Sequence, residues 1–244
     1  DAVSQVMFRV TNWGMHTAPI GVCALIGVTI AQMGLSALAP LGYFIILAYG
    51  TMLLFIVVFM GLAARMFGFK LSDLLYVIKD EAVLAFSTAS SEAALPRLID
   101  KMDKFGVSQG IVSFVIPTGY TFNLDGSAIY QSLAALFLAQ AYHIHLSLGQ
   151  QITLLVVLMI TSKGMAGVPG ASFVVLLATV STIGVPMSGL TFIAGIDRLV
   201  DMGRTAVNVV GNSLATVIIG KSEHEFSEDK SQSYLRELRA AKAK

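Results

Sequence analysis

The sequence predicts an all-α integral membrane protein, and three observations support this fold class. Hydrophobic residues make up 55% of the 244 residues, and the mean hydropathy is +0.76. Charged residues make up only 13%, about half of the roughly 25% that is usual in soluble domains. Long apolar segments with helical periodicity alternate with short polar stretches, so a bilayer is the simplest solvent for this chain.

Residues 1–70 contain two apolar segments that are each long enough to cross a membrane. The first runs from about Val6 to Met33 and the second from Tyr43 to Phe67, with an uncharged turn between them. A spanning helix needs about 20 apolar residues, which both segments provide. The chain begins DAVSQVMFRV without an initiator methionine, which suggests part of a longer chain.

Two pairs of short apolar arms predict re-entrant helical hairpins. Residues 71–106 form the first pair, which bends at the serine- and threonine-rich tip 87–91, and residues 148–189 form the second, which bends at the tip 162–172. Each arm is shorter than the roughly 20 residues of a full span, so a hairpin fits better than two crossings. The glycines of the second tip could instead cradle a phosphate, but no Lys-Ser/Thr pair follows them.

Residues 107–142 form a segment that is long enough to span but is interrupted in its middle. Backbone that leaves the helix at this depth is tolerated only where it is buried in protein or lines a cavity. An interrupted helix with an acidic residue is a candidate ion or substrate site. The interrupting residues are Pro117, Gly119, Asn123, Asp125 and Gly126.

The last apolar helix, residues 190–220, carries a polar face. A lone charge at mid-bilayer costs roughly 2.5–3.5 kcal/mol, so these side chains need partners, a water-filled cavity or a charged ligand. The alternative is an internal ion pair, because Asp201 and Arg204 lie at i, i+3. Within an arc of about 80° on the polar face lie Asp197, Asp201, Arg204, Asn208 and Asn212. Beyond this helix, residues 222–244 are expected to form a solvated cytoplasmic tail.

The positions of the cations support this layout. Of the 16 Lys and Arg residues, Lys163, Arg198 and Arg204 lie in tips or membrane segments, and the other thirteen fall on one side if both hairpins re-enter. This agrees with the positive-inside rule. A hairpin followed by a long helix then occurs twice, entered from opposite sides. Inverted repeats with broken helices are typical of secondary transporters.

Four motifs, in order, resemble those of the dicarboxylate/amino acid:cation symporters, a family that includes bacterial proton/sodium-glutamate symporters and the excitatory amino acid transporters. The resemblance covers nearly the whole chain and corresponds to the C-terminal part of the family. The motifs are Ser90-Ser91 followed by Leu95-Pro96, PTGYTFNLDGSAIY at 117–130, AGVPG at 166–170 and DMGRTAVN at 201–208.

The resemblance implies an elevator-type transporter in the bacterial inner membrane, a multi-pass homotrimer in contact with lipid. Residues 71–221 would form a transport domain that moves against a scaffold to which residues 1–70 mainly belong, with the second hairpin as a gate. No cofactor is implied beyond the coupling ions, H⁺ and possibly Na⁺, and no nucleic acid partner.

The resemblance also implies the roles of the substrate-binding residues. Arg204 is expected to pair with the side-chain carboxylate of the substrate, Asp201 to accept from its α-ammonium group, and Thr205 and Asn208 to add hydrogen bonds. The presence of both Asp201 and Arg204 favours glutamate or aspartate over a C4-dicarboxylate. Contacts to the carboxylates through backbone or hydroxyl groups are expected from Ser90, Ser91, Ser127, Val168 and Gly170.

The coupling cation is predicted less directly, because Asn212 and Met165 replace an Asp and a Thr of the sodium-coupled relatives. Loss of a carboxylate weakens a sodium site, which favours protons. Gln131 takes the position of the proposed proton-carrying Glu of the eukaryotic members. Glu92 or Asp125 is therefore the candidate carrier, although Glu92 could instead only support its tip. The positions that match sodium sites are Gly119, Thr121, Asn123, Asp125, Ser162, Asn208 and Asn212.

Other classes of protein fit the sequence less well. Re-entrant tips also build channel filters, but neither tip carries a ring-forming carbonyl signature. An enzyme is disfavoured because there is no Ser/His/Asp order or metal-spaced His cluster; the His143 and His145 pair is predicted to be loop. Arg198 is expected to pair with a carboxylate, and the sequence assigns no role to Lys163.

Overall fold

The computed structural model describes residues 13, 17–163, 170–180, 184–185 and 188–242. Within these residues the chain is mainly helical, as predicted, and an isolated antiparallel bridge joins Val107 to Phe226. The helices are α1 (Ala18–Met33), α2 (Leu38–Met66), α3 (Leu71–Thr88), α4 (Leu95–Lys104), α5 (Gln109–Phe122), α6 (Asp125–Ala141), α7 (Leu148–Thr161), α8 (Ala171–Val180), α9 (Ser188–Ser222) and α10 (Glu228–Lys242).

Helix α2 is, within the described residues, the one helix long and apolar enough to span a membrane by length and composition. It has 29 residues and a mean hydropathy of 2.5 over its most apolar window, of which 17% is buried. Phe44, Ala48 and Met52 face the core at helical spacing. Much of the rest of this apolar surface is exposed, as expected of a helix that faces lipid. The first predicted span, from about Val6 to Met33, is described mainly as helix α1, Ala18–Met33.

Helices α3 and α4 pack against each other, as the arms of the predicted first hairpin should. Ala89 ends α3 in the left-handed region with φ 51°, and Pro96 lies in the first turn of α4. Lys101 Nζ lies 2.6 Å from a carboxylate oxygen of Glu81 and donates to the Val77 carbonyl oxygen at 3.0 Å. A largely buried ion pair therefore joins the two arms. That this pair re-enters a bilayer stays a prediction.

The break in the third long segment is narrower than predicted. Helix α5 continues through Pro117 and Gly119 to Phe122, and α6 begins at Asp125, so only residues 123 and 124 leave helical geometry. A proline removes one backbone donor without necessarily ending a helix. Contact with α9 holds α5 in place beyond this position, so the charged start of α6, rather than the proline, marks the interruption.

Helix α9 is the centre of the fold. Its 35 residues make it about 52 Å long at 1.5 Å per residue, and it packs against α1, α2, α3, α5 and α6. The capping box of Ser147 and Gln150 starts α7, which packs against α8. The tip between these two helices, residues 164–169, and the end of the predicted return arm, 181–183, lie outside the described residues.

The C-terminal segment, predicted to be a solvated tail, forms helix α10 and docks along one face. Most of its residues are exposed, but Ser231 and Leu235 are buried where α10 packs against α3 and α4. Arg239 Nη2 lies 3.0 Å from an Asp73 carboxylate oxygen. Burial raises the pKa of the Tyr234 phenol.

Candidate functional site

The polar face of α9 is buried and centred on Arg204, which is 1% exposed. The guanidinium donates from Nε to Asp201 Oδ1 at 2.7 Å and from Nη1 to Asp197 Oδ1 at 3.0 Å. The internal ion pair that the spacing allowed is therefore present, and it includes a second aspartate. With all three groups ionised, this cluster carries one net negative charge.

One nitrogen of the Arg204 guanidinium differs from the other two. Nη2 is buried and has no hydrogen-bond partner among the described residues. The guanidinium carbon lies 4.3 Å from the centre of the Tyr130 ring, so the aromatic face supports the cation from α6. A buried donor without a partner costs free energy, and a ligand carboxylate would satisfy it.

Asp201 joins the polar helix to the second hairpin segment. Its Oδ2 accepts the Gly170 backbone N–H at 3.1 Å, and its Oδ1 also lies 3.4 Å from the donating Thr205 hydroxyl. The sequence assigned the Gly170 N–H and the Thr205 hydroxyl to the substrate. In the structure both groups contact the aspartate that was expected to accept from the substrate ammonium. Val168, the other predicted contact on this tip, lies outside the described residues.

Asn208 holds the start of α6. Its Oδ1 accepts the backbone N–H groups of Gly126 at 2.8 Å and Ser127 at 3.4 Å, and its Nδ2 donates to Ser127 Oγ at 3.2 Å. A Cβ on Gly126 would lie 2.7 Å from the Arg204 Cα, so only glycine allows this close approach. The predicted substrate residues Ser127, Arg204 and Asn208 are thus brought together.

Asn212 lies one helical turn further along α9 and faces the helix break. It is fully buried, and neither of its amide atoms has a hydrogen-bond partner among the described residues. A methyl group on Gly119 would overlap Asn212 Oδ1, and one on Gly211 would overlap Asp125 Oδ2. The structure therefore gathers three predicted cation residues, Gly119, Asp125 and Asn212, at one place.

The first tip contacts α9 through Arg198, whose Nη2 donates to the Thr88 carbonyl oxygen at 3.1 Å. This contact is with a backbone oxygen instead of the expected carboxylate. Ser91 is 1% exposed, and its hydroxyl has no hydrogen-bond partner among the described residues. Ser90 is half-buried, and its backbone N–H donates to Thr88 Oγ1 at 3.3 Å. Glu92 begins a short 3₁₀ turn before α4.

The remaining predicted cation residues lie near the break or the second tip. Ser162 is buried, and its hydroxyl donates to the Met159 carbonyl oxygen in the last turn of α7 at 3.0 Å. Thr121 and Asn123 are half-buried, on α5 and at the break respectively. No group of three or more acidic, His or Cys side chains that could hold a metal occurs in the part of the chain that the structure describes.

Three contacts around this site could not be predicted from the sequence. Tyr130 packs under the guanidinium, and the Gln131 Nε2 donates to the Ser172 carbonyl oxygen of α8 at 3.2 Å. Lys163 Nζ donates to the Phe122 carbonyl oxygen at 2.7 Å. Tyr130 is the last residue of the motif at 117–130. An aromatic residue on an apolar helix is usually part of the core, and no spacing rule distinguishes that role from support of a buried cation.

Comparison with known proteins places the chain in a family. Residues 1–222 match the sodium:dicarboxylate symporter family. The chain is 58% identical over 238 residues to a proton/sodium-glutamate symport protein of Bacillus caldotenax, covering 98% of this chain and 56% of that protein. It is 54% identical to the proton/glutamate-aspartate symporter of Escherichia coli strain K12, covering 97% of this chain and 54% of that protein.

A relative with a different named substrate is also similar. The C4-dicarboxylate transport protein of Bacillus subtilis strain 168 is 47% identical, covering 95% of this chain and 55% of that protein. The chain spans about half the length of the curated relatives it matches. These matches confirm the resemblance of the four motifs: the chain belongs to the sodium:dicarboxylate symporter family, whose members are membrane transporters and not enzymes.

Proposed function

We propose that this chain forms the substrate-binding part of a secondary transporter that carries glutamate or aspartate together with cations. The observation that carries the proposal is Arg204, a fully buried guanidinium whose Nη2 has no hydrogen-bond partner among the described residues. A carboxylate is the natural ligand of such a group, because a hydrogen bond between an ionised donor and an ionised acceptor is stronger than one between neutral groups.

The substrate ammonium group is proposed to bind Asp201. This aspartate accepts from the Gly170 N–H and from Arg204, so a bound amino acid would exchange one of these donors for its own ammonium group. The exchange would release the Gly170 N–H for a substrate carboxylate. Movement at Gly170 on binding would act on the second tip, which is how we propose that this hairpin gates the site.

Cation coupling follows from the charge of the site. The cluster of Arg204, Asp197 and Asp201 carries one net negative charge, and an acidic amino acid adds another. Placing this charge in a low-dielectric interior is costly, so co-transported cations lower the free energy of the loaded state.

We favour protons over sodium as the coupling ions, although relatives named for both ions support either. Asn212 brings an amide rather than a carboxylate to the break, and hard cations prefer anionic oxygen ligands. Asp125, which adjoins Gly211 at the break, and Glu92, at the first tip, are the proposed carriers. If sodium binds, residues around the break, at the end of α7 and on α9 would hold it, namely Gly119, Thr121, Asn123, Asp125, Ser162, Asn208 and Asn212.

A C4-dicarboxylate:cation symporter is the second candidate, favoured by the 47% identity to the relative from Bacillus subtilis. It is less compatible with this site. A C4-dicarboxylate has no ammonium group, so its second negative charge would lie beside two aspartates and one arginine without compensation.

The remaining features belong to the same proposal. We place the protein in the bacterial inner membrane as a multi-pass homotrimer, with α3 to α9 moving as an elevator. The hairpins and the inverted repeat give this movement its two alternating openings.

Uptake of labelled glutamate by the protein in proteoliposomes tests the proposal. Accumulation should require an imposed proton gradient, with aspartate a strong competitor and succinate a weak one. Accumulation driven by sodium alone would overturn the choice of ion. Strong competition by succinate would overturn the choice of substrate.

A further inference from the structure

The side chain of Lys163 reaches the carbonyl end of the broken helix. Lys163 follows the last turn of α7, and its backbone N–H donates to the Ile160 carbonyl oxygen at 3.1 Å. Its ammonium nitrogen donates to the carbonyl oxygen of Phe122, the last residue of α5, at 2.7 Å. Forty-one positions of sequence separate the two residues, so this contact joins the second hairpin segment to the broken helix.

The place that the ammonium occupies is electrically negative. The last carbonyl groups of a helix have no partner in the next turn, and they carry the negative end of the helix dipole. The Gly119 carbonyl is already satisfied by the Asn123 N–H at 2.7 Å, whereas the Phe122 carbonyl receives Lys163. Three residues after Phe122 along the chain, Asp125 brings a carboxylate to the start of α6.

Backbone carbonyl oxygens beside a carboxylate are the kind of ligand set that a hard cation prefers. Here the Lys163 ammonium group donates to one of these carbonyl oxygens, that of Phe122. The opposite side of the break is held differently, because Asn208 caps the start of α6 with a neutral amide. Lys163 therefore brings a positive charge to the carbonyl side of the break.

We propose that Lys163 is a tethered cation that competes with diffusible sodium at the helix break, and so helps to determine which ion drives transport. The proposal rests on the proposed function as a cation-coupled symporter. A neutral side chain at residue 163 would free the Phe122 carbonyl and remove the repulsion between the ammonium group and an entering Na⁺.

The experiment compares four variants with the parent protein. Lys163→Met and Lys163→Gln remove the charge at similar length, Lys163→Arg keeps it, and Lys79→Met removes an exposed lysine that lies over the Tyr76 ring. The unfolding temperature of the detergent-purified protein is measured against NaCl concentration, with choline chloride keeping the ionic strength constant. A cation that binds the folded state raises this temperature.

Removal of the charge should increase the affinity for sodium. We expect the half-saturating Na⁺ concentration to fall by about fivefold or more in Lys163→Met or Lys163→Gln, and to stay at the parental value in Lys163→Arg and Lys79→Met. Labelled-glutamate uptake at fixed pH should show the same ordering of sodium stimulation.

Two results would overturn the inference. One is an unchanged sodium response in folded variants that lack the charge. The other is an equal change in Lys163→Arg, which would make Lys163 a structural link between α5 and α7 only. Failure of every protein to accumulate glutamate would instead contradict the proposed function, while the thermal measurement would still decide the role of Lys163.

Discussion

Gly119 of α5 lies so close to the Asn212 side chain of α9 that a methyl group in its place would overlap the amide oxygen. Gly126 is similar, because a Cβ there would meet the Arg204 backbone. The two glycines flank the helix break. Their small size, rather than unusual backbone angles, lets the broken helix approach the polar helix closely enough for Asn208 to cap α6.

Gly119→Ala should destabilise the protein. Overpacking of a filled interior costs about 1–3 kcal/mol, and Asn212 is fully buried and has little room to move. The unfolding transition in detergent measures the effect. The matched control is Gly110→Ala on the same helix, where nothing lies within 4 Å of the added Cβ. Equal stability of the two variants would contradict the close approach.

Arg204 and its two aspartates should behave as one unit. Arg204→Gln leaves the buried Asp201 and the partly buried Asp197 without their cation, and loss of one partner of a buried ion pair costs about 3–5 kcal/mol. The double variant with Asp201→Asn should be less destabilised than the sum of the two single variants. Unfolding free energies from the four proteins give the coupling. Arg97→Gln, at an exposed arginine of α4, is the control. If the destabilisation of the double variant equalled the sum of the two single variants, Arg204 and Asp201 would not act as one unit.

Asp201→Asn should change the choice of substrate. The variant keeps the shape of the side chain and removes the charge that we propose to bind the substrate ammonium. Glutamate affinity should fall by roughly tenfold or more, as expected from the loss of a charged hydrogen bond. Succinate should compete better than in the parent because one repulsive carboxylate is gone. Competition assays with labelled glutamate measure both effects.

The control for this prediction is Asp229→Asn, which removes an exposed carboxylate of α10 far from the polar face. It should leave both affinities at the parental values. A parental ratio of glutamate to succinate affinity in Asp201→Asn would show that another group recognises the ammonium.

Leu235→Ala should release α10 from the body of the protein. Leu235 is 3% exposed, and truncation of a buried leucine costs about 2–5 kcal/mol. The exposed ion pairs of this helix contribute about 0–1 kcal/mol each, so they cannot hold it alone. Cleavage within α10 by trypsin should become faster. Arg236→Ala, at an exposed position, should leave the cleavage of the rest of the helix unchanged.

Much of the site could be found from single residues. The polar face of α9 was predicted because charges in an apolar helix are costly and therefore need a reason. Asp125 and Gly119 were predicted because helix-breaking residues stand out in an apolar segment. Ser147, by contrast, was not assigned as a helix cap, although its capping box with Gln150 is visible in the sequence.

The exact break and the docked tail were not predictable in the same way. Pro117 stays within α5 because contact with α9 outweighs the loss of one backbone bond, and local propensity does not contain that contact. Most residues of α10 are polar and exposed, so the sequence predicts a solvated tail. The buried face at Leu235 is seen only once the helices that pack against it are known.

The sequence by itself determined that this chain is helical, that it suits a membrane, and that one helix carries buried charge. These properties depend on composition and on periods of three to four residues, which are local. Only the tertiary structure decided that Arg204 pairs with both Asp197 and Asp201, that Tyr130 lies under it, and that Lys163 reaches Phe122. Side-chain direction and the distances between helices determine these contacts, and the spacing of residues along one helix specifies neither.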